Sequence, residues 1–323
     1  MQRLFTENLI KIYGLKHVKA SSNNSILSFD IILPEGREIM DKYHQKEAIK
    51  ITEVELIVRN LKLMTDYYTN SLGFSVIFND GKKVILSVDG IHPIITLIED
   101  KKAVKRGKTT GLYHVAILLP SRADLGLFLR HVINHQIPIS GAADHGVSEA
   151  LYLQDPEDNG IEIYVDKDDS TWYDEFGSLV MYTAEVDYSG IYYSAKENET
   201  FTSLPVGTTL GHLHLSVSSL ENARKFYIDA IGFDVAFDKL PRALFAGSMN
   251  YHHHLGLNTW MGDNKPSPLS NGLKSFVITY PKCEEIDAAM KKLTTMNIPL
   301  KEIENGYETT DYDGNTVFLR LEV

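Results

Sequence analysis

Two stretches of this chain carry the same succession of apolar and polar positions. Val58 to Val76 reads V-R-N-L-K-L-M-T-D-Y-Y-T-N-S-L-G-F-S-V and Val217 to Val235 reads V-S-S-L-E-N-A-R-K-F-Y-I-D-A-I-G-F-D-V, so Leu61, Tyr68, Gly73 and Phe74 return as Leu220, Tyr227, Gly232 and Phe233. A second pair follows the same logic: Gly111-Leu112 to Pro120 matches Gly272-Leu273 to Pro281, and Ile137-Pro138 matches Ile298-Pro299. Each half of the chain therefore holds two modules. Each module reads as an apolar strand, an amphipathic helix and a cluster of short β-rich segments, which predicts the order βαβββ four times.

The helices carry start and stop signals. Asn60 precedes the first, Ser121 the second, and Ser218 or Ser219 the third, each with a side-chain oxygen able to satisfy a free N–H of the first turn. Gly73 and Gly232 supply the left-handed conformation that ends the first and third helices. In the second, Leu125, Leu129 and Val132 recur at helical spacing, and Pro138 is expected to stop it. Strands are predicted at 142–147, 149–153 and 161–165, the last two joined by the turn Asp155-Pro156-Glu157-Asp158-Asn159-Gly160. The fourth module repeats that turn as Asp311-Tyr312-Asp313-Gly314-Asn315.

The resulting division is residues 1–49 as an N-terminal extension, 50–167 as modules one and two, 168–206 as a connecting segment, and 207–323 as modules three and four. The connecting segment is expected to be ordered in part, because Trp172, Tyr173 and Tyr182 need cover. Residues 1–39 stand outside the repeat. They read either as an appended helix and hairpin or as the product of a start upstream of Met40, and the run Glu35-Gly36-Arg37-Glu38, encodable by purine-rich codons like a ribosome-binding site, favours a start at Met40.

With 323 residues and 43% hydrophobic positions there is material for two domains. The net charge of −11 argues against a nucleic-acid surface, which would need clustered Lys and Arg. No apolar run is long enough for a membrane span, and no signal-peptide core is present. Cys283 is the only cysteine, so no intramolecular disulfide forms and a reducing, cytoplasmic setting is expected.

Three titratable residues sit on short apolar strands: His114 in L-Y-H-V-A, Glu162 in N-G-I-E-I-Y and His212 in L-G-H-L-H-L. One such histidine alone is usually a hydrogen-bonded core residue, and His131 and His214 are read as bland or exposed. Two histidines and a glutamate at equivalent module positions are different, since one divalent metal satisfies all three and keeps open positions. His44, His92 and His135 have no such support.

The strings G-L-Y-H-V-A-I-L-L-P-S-R-A-D-L, V-S-E-A-L-Y-L-Q-D-P-E-D-N-G-I-E-I-Y, L-P-V-G-T-T-L-G-H-L-H-L-S-V and Y-H-H-H-L-G-L-N-T-W, in this order and spacing, resemble the vicinal oxygen chelate superfamily, and within it the extradiol dioxygenases of the catechol 2,3-dioxygenase type. The resemblance covers residues of about 50 to 323 and implies an α+β fold whose four βαβββ modules form two open β-barrel domains. It implies His114, Glu162 and His212 as ligands of iron(II), with manganese(II) able to use the same set. It implies His253 as the acid/base histidine, aligned through Leu255, and Tyr152 and His145 near the metal. Strand alternation would then send His252 and His254 to the opposite face. The substrates implied are a small aromatic diol and dioxygen, with homo-oligomer formation left open.

The ligand order departs from the family's usual one, which places all three in the last two modules. Ser275 stands where His114 does, Phe318 where Glu162 does, and Glu53 where His212 does. Modules two and three must therefore share one barrel, leaving one and four to make the other, unless subunits exchange halves. A glyoxalase or thiol transferase on this scaffold would add a fourth, carboxylate ligand, yet His252 to Trp260 holds no Asp or Glu. A metal-free sequestering protein of the bleomycin-resistance kind would have no use for the three ligands.

Overall fold

A computed structural model describes residues 18–23, 26–31, 43–45 and 47–322. Near the N-terminus Val18–Asn23 (β1) and Ile26–Ile31 (β2) pair as an antiparallel hairpin. The helix expected beside it and the alternative start at Met40 lie outside the described residues.

From residue 50 onward the four modules follow one another as expected. Module one has Lys50–Val58 (β3), a helix from Leu61, Ser75–Asn79 (β4), Lys83–Ser87 (β5) and Ile95–Glu99 (β6). Module two has Gly111–Leu118 (β7), a helix at Arg122–Asn134, Gly141–Asp144 (β8), Ser148–Gln154 (β9) and Gly160–Asp166 (β10). Module three has Thr209–Ser216 (β11), a helix from Leu220, Asp234–Phe237 (β12), Ala243–Gly247 (β13) and Leu255–Asn258 (β14). Module four has Gly272–Tyr280 (β15), a helix at Cys283–Thr295, Leu300–Ile303 (β16), Gly306–Thr310 (β17) and Thr316–Leu321 (β18).

These strands form two curled eight-stranded sheets that cut across the order of the chain. One runs β12-β13-β14-β11-β7-β10-β9-β8 and unites modules two and three within a single chain; the other runs β16-β17-β18-β15-β3-β6-β5-β4 and unites one and four. In each, the first strands of two modules meet antiparallel at the centre, β11 on β7 and β15 on β3.

The caps form as the sequence implies. Asn60 accepts from Leu63 N, Ser121 from Asp124 N, and Ser219 rather than Ser218 from Asn222 N. Gly73 and Gly232 take φ +89° and +102°. The second helix does not run to Pro138: it ends at Asn134, and Gln136 at φ 52° makes the turn. The first and third helices each widen into a π-helical stretch, Tyr67–Ser71 and Arg224–Ala230.

The repeated acidic turns have a task that their composition does not announce. Asp155 accepts from the backbone of Glu157 and Asn159 and receives the hydroxyl of Tyr68 at 3.1 Å; Asp311 does the same with Asp313, Asn315 and Tyr227, the last at 2.7 Å. Glu157 then accepts from Arg59 N and Asn60 N, and Asp313 from Ser218 N, where the preceding module's helix begins. Each turn thus satisfies backbone donors at the strand-to-helix corner of a module in the other sheet. Tyrosine and aspartate from the repeat hold the two sheets together.

The connecting segment contains a short helix, Tyr188–Ser194, held against the second helix by Arg130, whose guanidinium donates to the carbonyls of Tyr192, Ala195 and Lys196. Trp172 is 1% exposed, whereas Tyr173 and Tyr182 remain 40% and 44% exposed, so only the tryptophan found the expected cover. Cys283 is free and exposed. Among the described residues no helix is long and apolar enough to cross a membrane.

Candidate metal centre

The sheet of modules two and three sets four residues side by side. His212 on β11 is opposite Ala116 on β7, Ala116 is beside Glu162 on β10, and Glu162 is opposite Tyr152 on β9. Alternation along β7 places His114, two residues before Ala116, on the same face. The small side chain of Ala116 leaves the space between its two neighbours open.

Into that space the three expected ligands converge. Nε2 of His114 and Nε2 of His212 are 3.3 Å apart, and Oε2 of Glu162 lies 2.9 Å from the first and 3.3 Å from the second. All three residues are buried, and one donor atom from each lies within 4.8 Å of the others. Two imidazole nitrogens and one carboxylate oxygen on three strands fit a divalent transition metal, with coordination positions left for other ligands. Nδ1 of His212 has no hydrogen-bond partner among the described residues, and its ring is held by packing on Tyr164 and His253.

The electrostatics favour a cation. Burial alone would raise Glu162, but His212 and His114 outweigh it and hold the carboxyl well below its usual range. Burial pushes His212 down to about 4 against the pull of Glu162. Both groups therefore present lone pairs at neutral pH without first losing a proton.

Beside the three ligands opens a cavity of 440 Å³. His253 lines it, its ring 4.1 Å from that of His212 and 4.9 Å from Phe245. Tyr152 and His145 line it from the other side, with the tyrosine hydroxyl 2.7 Å from Nε2 of His145 and the other ring nitrogen of His145 3.1 Å from the Tyr182 carbonyl. Burial and the Glu162 charge raise the Tyr152 phenol well above its ordinary value, so it is a neutral hydroxyl.

Two expectations need correction. His252, His253 and His254 lie in a bend before β14 rather than within it, so strand alternation does not sort them. All three are buried: His252 sits behind His253, and His254 accepts from Ser248 N through Nδ1 and donates to the Tyr43 carbonyl through Nε2. His214 is not the exposed alternative: it is 4% exposed, borders the cavity and packs its ring 4.8 Å from that of His114. His131, by contrast, lies outside the cavity lining, with its ring on the Ser71 carbonyl and against Phe201, Phe128 and His135.

Sequence reasoning missed Asp166 and His252. Asp166 lies four residues beyond Glu162 on β10, hence on the same face, and that spacing was a usable signal. Nothing in the sequence joins it to His252, 2.7 Å away.

In the sheet of modules one and four the corresponding positions are otherwise engaged. Glu53 pairs with Arg320 at 2.9 Å, and Ser275 donates to Glu55 at 2.7 Å.

The packing around His212 makes Gly211 a sensitive position. A Cβ there would lie 2.0 Å from the hydroxyl oxygen of Tyr164, which is itself bonded to the Tyr251 hydroxyl at 2.8 Å. Gly211→Ala is expected to cost about 1–3 kcal/mol of stability by overpacking and to weaken metal retention by shifting His212. Gly107→Ala, where an added Cβ meets nothing within 4 Å, should do neither. Thermal melts and metal analysis of the two variants give the comparison.

The buried histidines also predict acid sensitivity of the metal-free protein. Burial lowers His212, His214, His253 and His254, so each is neutral in the fold and takes a proton when the chain unfolds below about pH 6.5. A lowered folded value means stability that is complete above the unfolded value and lost as pH falls. Asp155, raised by burial to about 6, and Asp311, also raised by burial, act the other way because the fold binds their protons first. The four histidines outnumber the two carboxyls, so a net loss of stability is expected as pH falls through the range where the unfolded histidines take up protons. Denaturant midpoints at pH 7 and pH 5.5 measure it.

Comparison with known proteins agrees with this arrangement. The sequence profile of the Glyoxalase/Bleomycin resistance protein/Dioxygenase superfamily matches residues 50–163 and 209–318. Catechol-2,3-dioxygenase of Bacillus subtilis strain 168 is 41% identical over 271 residues, covering 82% of this chain and 94% of that protein. Biphenyl-2,3-diol 1,2-dioxygenase 3 of Rhodococcus globerulus is 28% identical over 124 residues, covering 36% of this chain and 63% of that protein. Among solved structures, a candidate dioxygenase of Bacillus subtilis superposes with TM-score 0.60 at 11% identity, covering 86% of each chain. Glyoxalase I of Zea mays superposes with TM-score 0.54 at 16% identity, covering 84% of this chain and 91% of that one. Both likenesses describe the fold.

Proposed function

The chain belongs to the Glyoxalase/Bleomycin resistance protein/Dioxygenase superfamily, and we propose that it is an extradiol dioxygenase that opens the ring of a catechol or hydroquinone with dioxygen. The observation that carries this reading is a buried set of two imidazoles and one carboxylate, facing a cavity that also holds a neutral histidine and a neutral tyrosine. His114, His212 and Glu162 would hold iron(II), or manganese(II) in the same positions, and the metal would supply sites for both diol oxygens and dioxygen together with the electron path between them.

The chain's own residues supply the rest. His253, buried and neutral, is placed to accept a proton from a substrate hydroxyl at the cavity wall and to return one as the ring opens. Tyr152 and His145 hold a hydroxyl-to-imidazole pair on the opposite wall, where they can orient a diol oxygen. Tyr113, Phe245 and Trp260 border the cavity with aromatic faces suited to a flat ring and unsuited to water. Nothing in this arrangement asks for a nucleic acid or a membrane, and a cytoplasmic setting suits a chain with one free cysteine.

A glyoxalase-type isomerase would want a further carboxylate at the metal. Among the described residues no fourth ligand joins the three, and the nearby Asp166 is engaged by His252. The test is an anaerobic iron reconstitution followed by a panel of catechols and hydroquinones in air, watched for yellow ring-opened product. Stoichiometric iron and product from at least one diol are expected. Iron bound without product from any diol, or no uptake of iron, overturns the reading.

A further inference from the structure

The histidine at the cavity wall does not stand alone. Nδ1 of His253 lies 2.9 Å from Nδ1 of His252, and Nε2 of His252 lies 2.7 Å from Oδ1 of Asp166. We propose that Asp166 and His252 are positioning residues that lock His253 into the tautomer carrying its proton on Nδ1, so that a bare Nε2 faces the cavity as a hydrogen-bond acceptor. The proposal deepens the dioxygenase reading and rests on it only for what the acceptor meets, a hydroxyl of an aromatic diol.

The argument is one of donor and acceptor counting. A carboxylate only accepts, so the nitrogen of His252 that faces Asp166 carries the proton. Complete burial of His252 among aromatic rings favours its neutral form, whose single N–H is used on Asp166, and this leaves Nδ1 of His252 as an acceptor. The nitrogen facing it, Nδ1 of His253, must then donate, and Nε2 of His253 is left without a proton. With His252 neutral, the alternative order would point two lone pairs at each other across 2.9 Å inside the protein, where an unmade hydrogen bond is costly.

Packing keeps this chain of bonds in place. His252 is fully buried between the ring of Tyr251 at 4.1 Å and the indole of Trp172 at 4.8 Å. Trp172 comes from the connecting segment and Asp166 from the end of β10, the strand that carries Glu162. One strand thus supplies both a metal ligand and the carboxylate that sets the polarity of the histidine across the cavity. The consequence is directional: toward a bound diol, His253 begins as an acceptor and becomes a donor only after it has taken a proton.

The experiment reads the tautomer directly. Full-length protein loaded with diamagnetic zinc and labelled with nitrogen-15 histidine is measured by long-range proton–nitrogen correlation, the His253 signals being assigned by their loss in His253→Gln. Wild type should show His253 protonated on Nδ1 and bare on Nε2, and His252→Leu and Asp166→Ala should lose that preference while Asp166→Glu regains it. His253 protonated on Nε2 in the wild type, or an unchanged tautomer in both disruptive variants, overturns the proposal. The wild-type spectrum decides even if a variant fails to fold.

Kinetics with iron(II) and catechol form the second arm. Asp166→Ala should lower kcat about 10–100-fold with a much smaller change in KM, and Asp166→Glu should recover most of it. The two readings fail separately: the expected tautomer in a protein that cleaves no diol removes the dioxygenase and leaves the tautomer lock, while ring cleavage with the opposite tautomer removes the lock and leaves the dioxygenase.

Discussion

His114→Ala, His212→Ala and Glu162→Ala are each expected to yield a folded chain that retains no stoichiometric divalent metal and cleaves no diol. The three donor atoms come from three neighbouring strands and meet within 4.8 Å, so the loss of one leaves two ligands on a rigid sheet, too few to hold the metal stoichiometrically. Stability should respond unequally. Glu162→Ala removes the carboxylate and leaves His114 beside a His212 that burial already favours as neutral. His114→Ala or His212→Ala leaves the buried carboxylate with one imidazole partner fewer, at a cost of about 1–3 kcal/mol. Elemental analysis after anaerobic reconstitution, with circular dichroism to verify folding, checks the set. A ligand variant that keeps one metal per chain would show that the assignment is wrong, and Glu162→Gln, which removes the charge while keeping the shape, should bind metal far more weakly than wild type.

His253→Ala should keep its metal and lose about 10²–10⁴-fold in turnover, the usual worth of a positioned acid–base group. The ring borders the cavity next to His212 but does not belong to the three-ligand cluster. Its buried surroundings hold it neutral at working pH, and the residue is 6% exposed. His254→Ala should mainly reduce stability, because His254 ties the bend to Ser248 and Tyr43 away from the cavity. Steady-state turnover per bound iron in wild type, His253→Ala and His254→Ala separates these roles. Equal losses in both variants, or loss of iron in His253→Ala, would refute the assignment to His253.

The repeat of Leu61, Tyr68, Gly73 and Phe74 as Leu220, Tyr227, Gly232 and Phe233, together with the caps at Asn60, Ser121 and Ser219, was enough to lay out four βαβββ modules in order. Such features are local: periodicity, a capping oxygen and a left-handed glycine act within a few residues of themselves. The candidate ligands were legible for a related reason. A histidine or glutamate in an apolar strand is conspicuous, and the repeat put His114, Glu162 and His212 at equivalent places, which implied that modules two and three lie side by side. What composition and spacing could not carry was anything depending on the third dimension. The run Tyr251 to His254 looked like strand and is a bend, so the facing of its three histidines was decided by what packs around them, Trp172, Asp166 and Tyr43. The acidic turns read as ordinary turns, yet their carboxylates close the helix corners of the other sheet. Hydrogen bonds between residues 86 or 87 positions apart, His252 with Asp166 and Tyr164 with Tyr251, exist only once two modules share a sheet. Local chemistry along the chain determined the modules and marked the metal-binding candidates; the pairing of β7 with β11 decided which side chains meet, because only that contact brings distant donors and acceptors into one buried space.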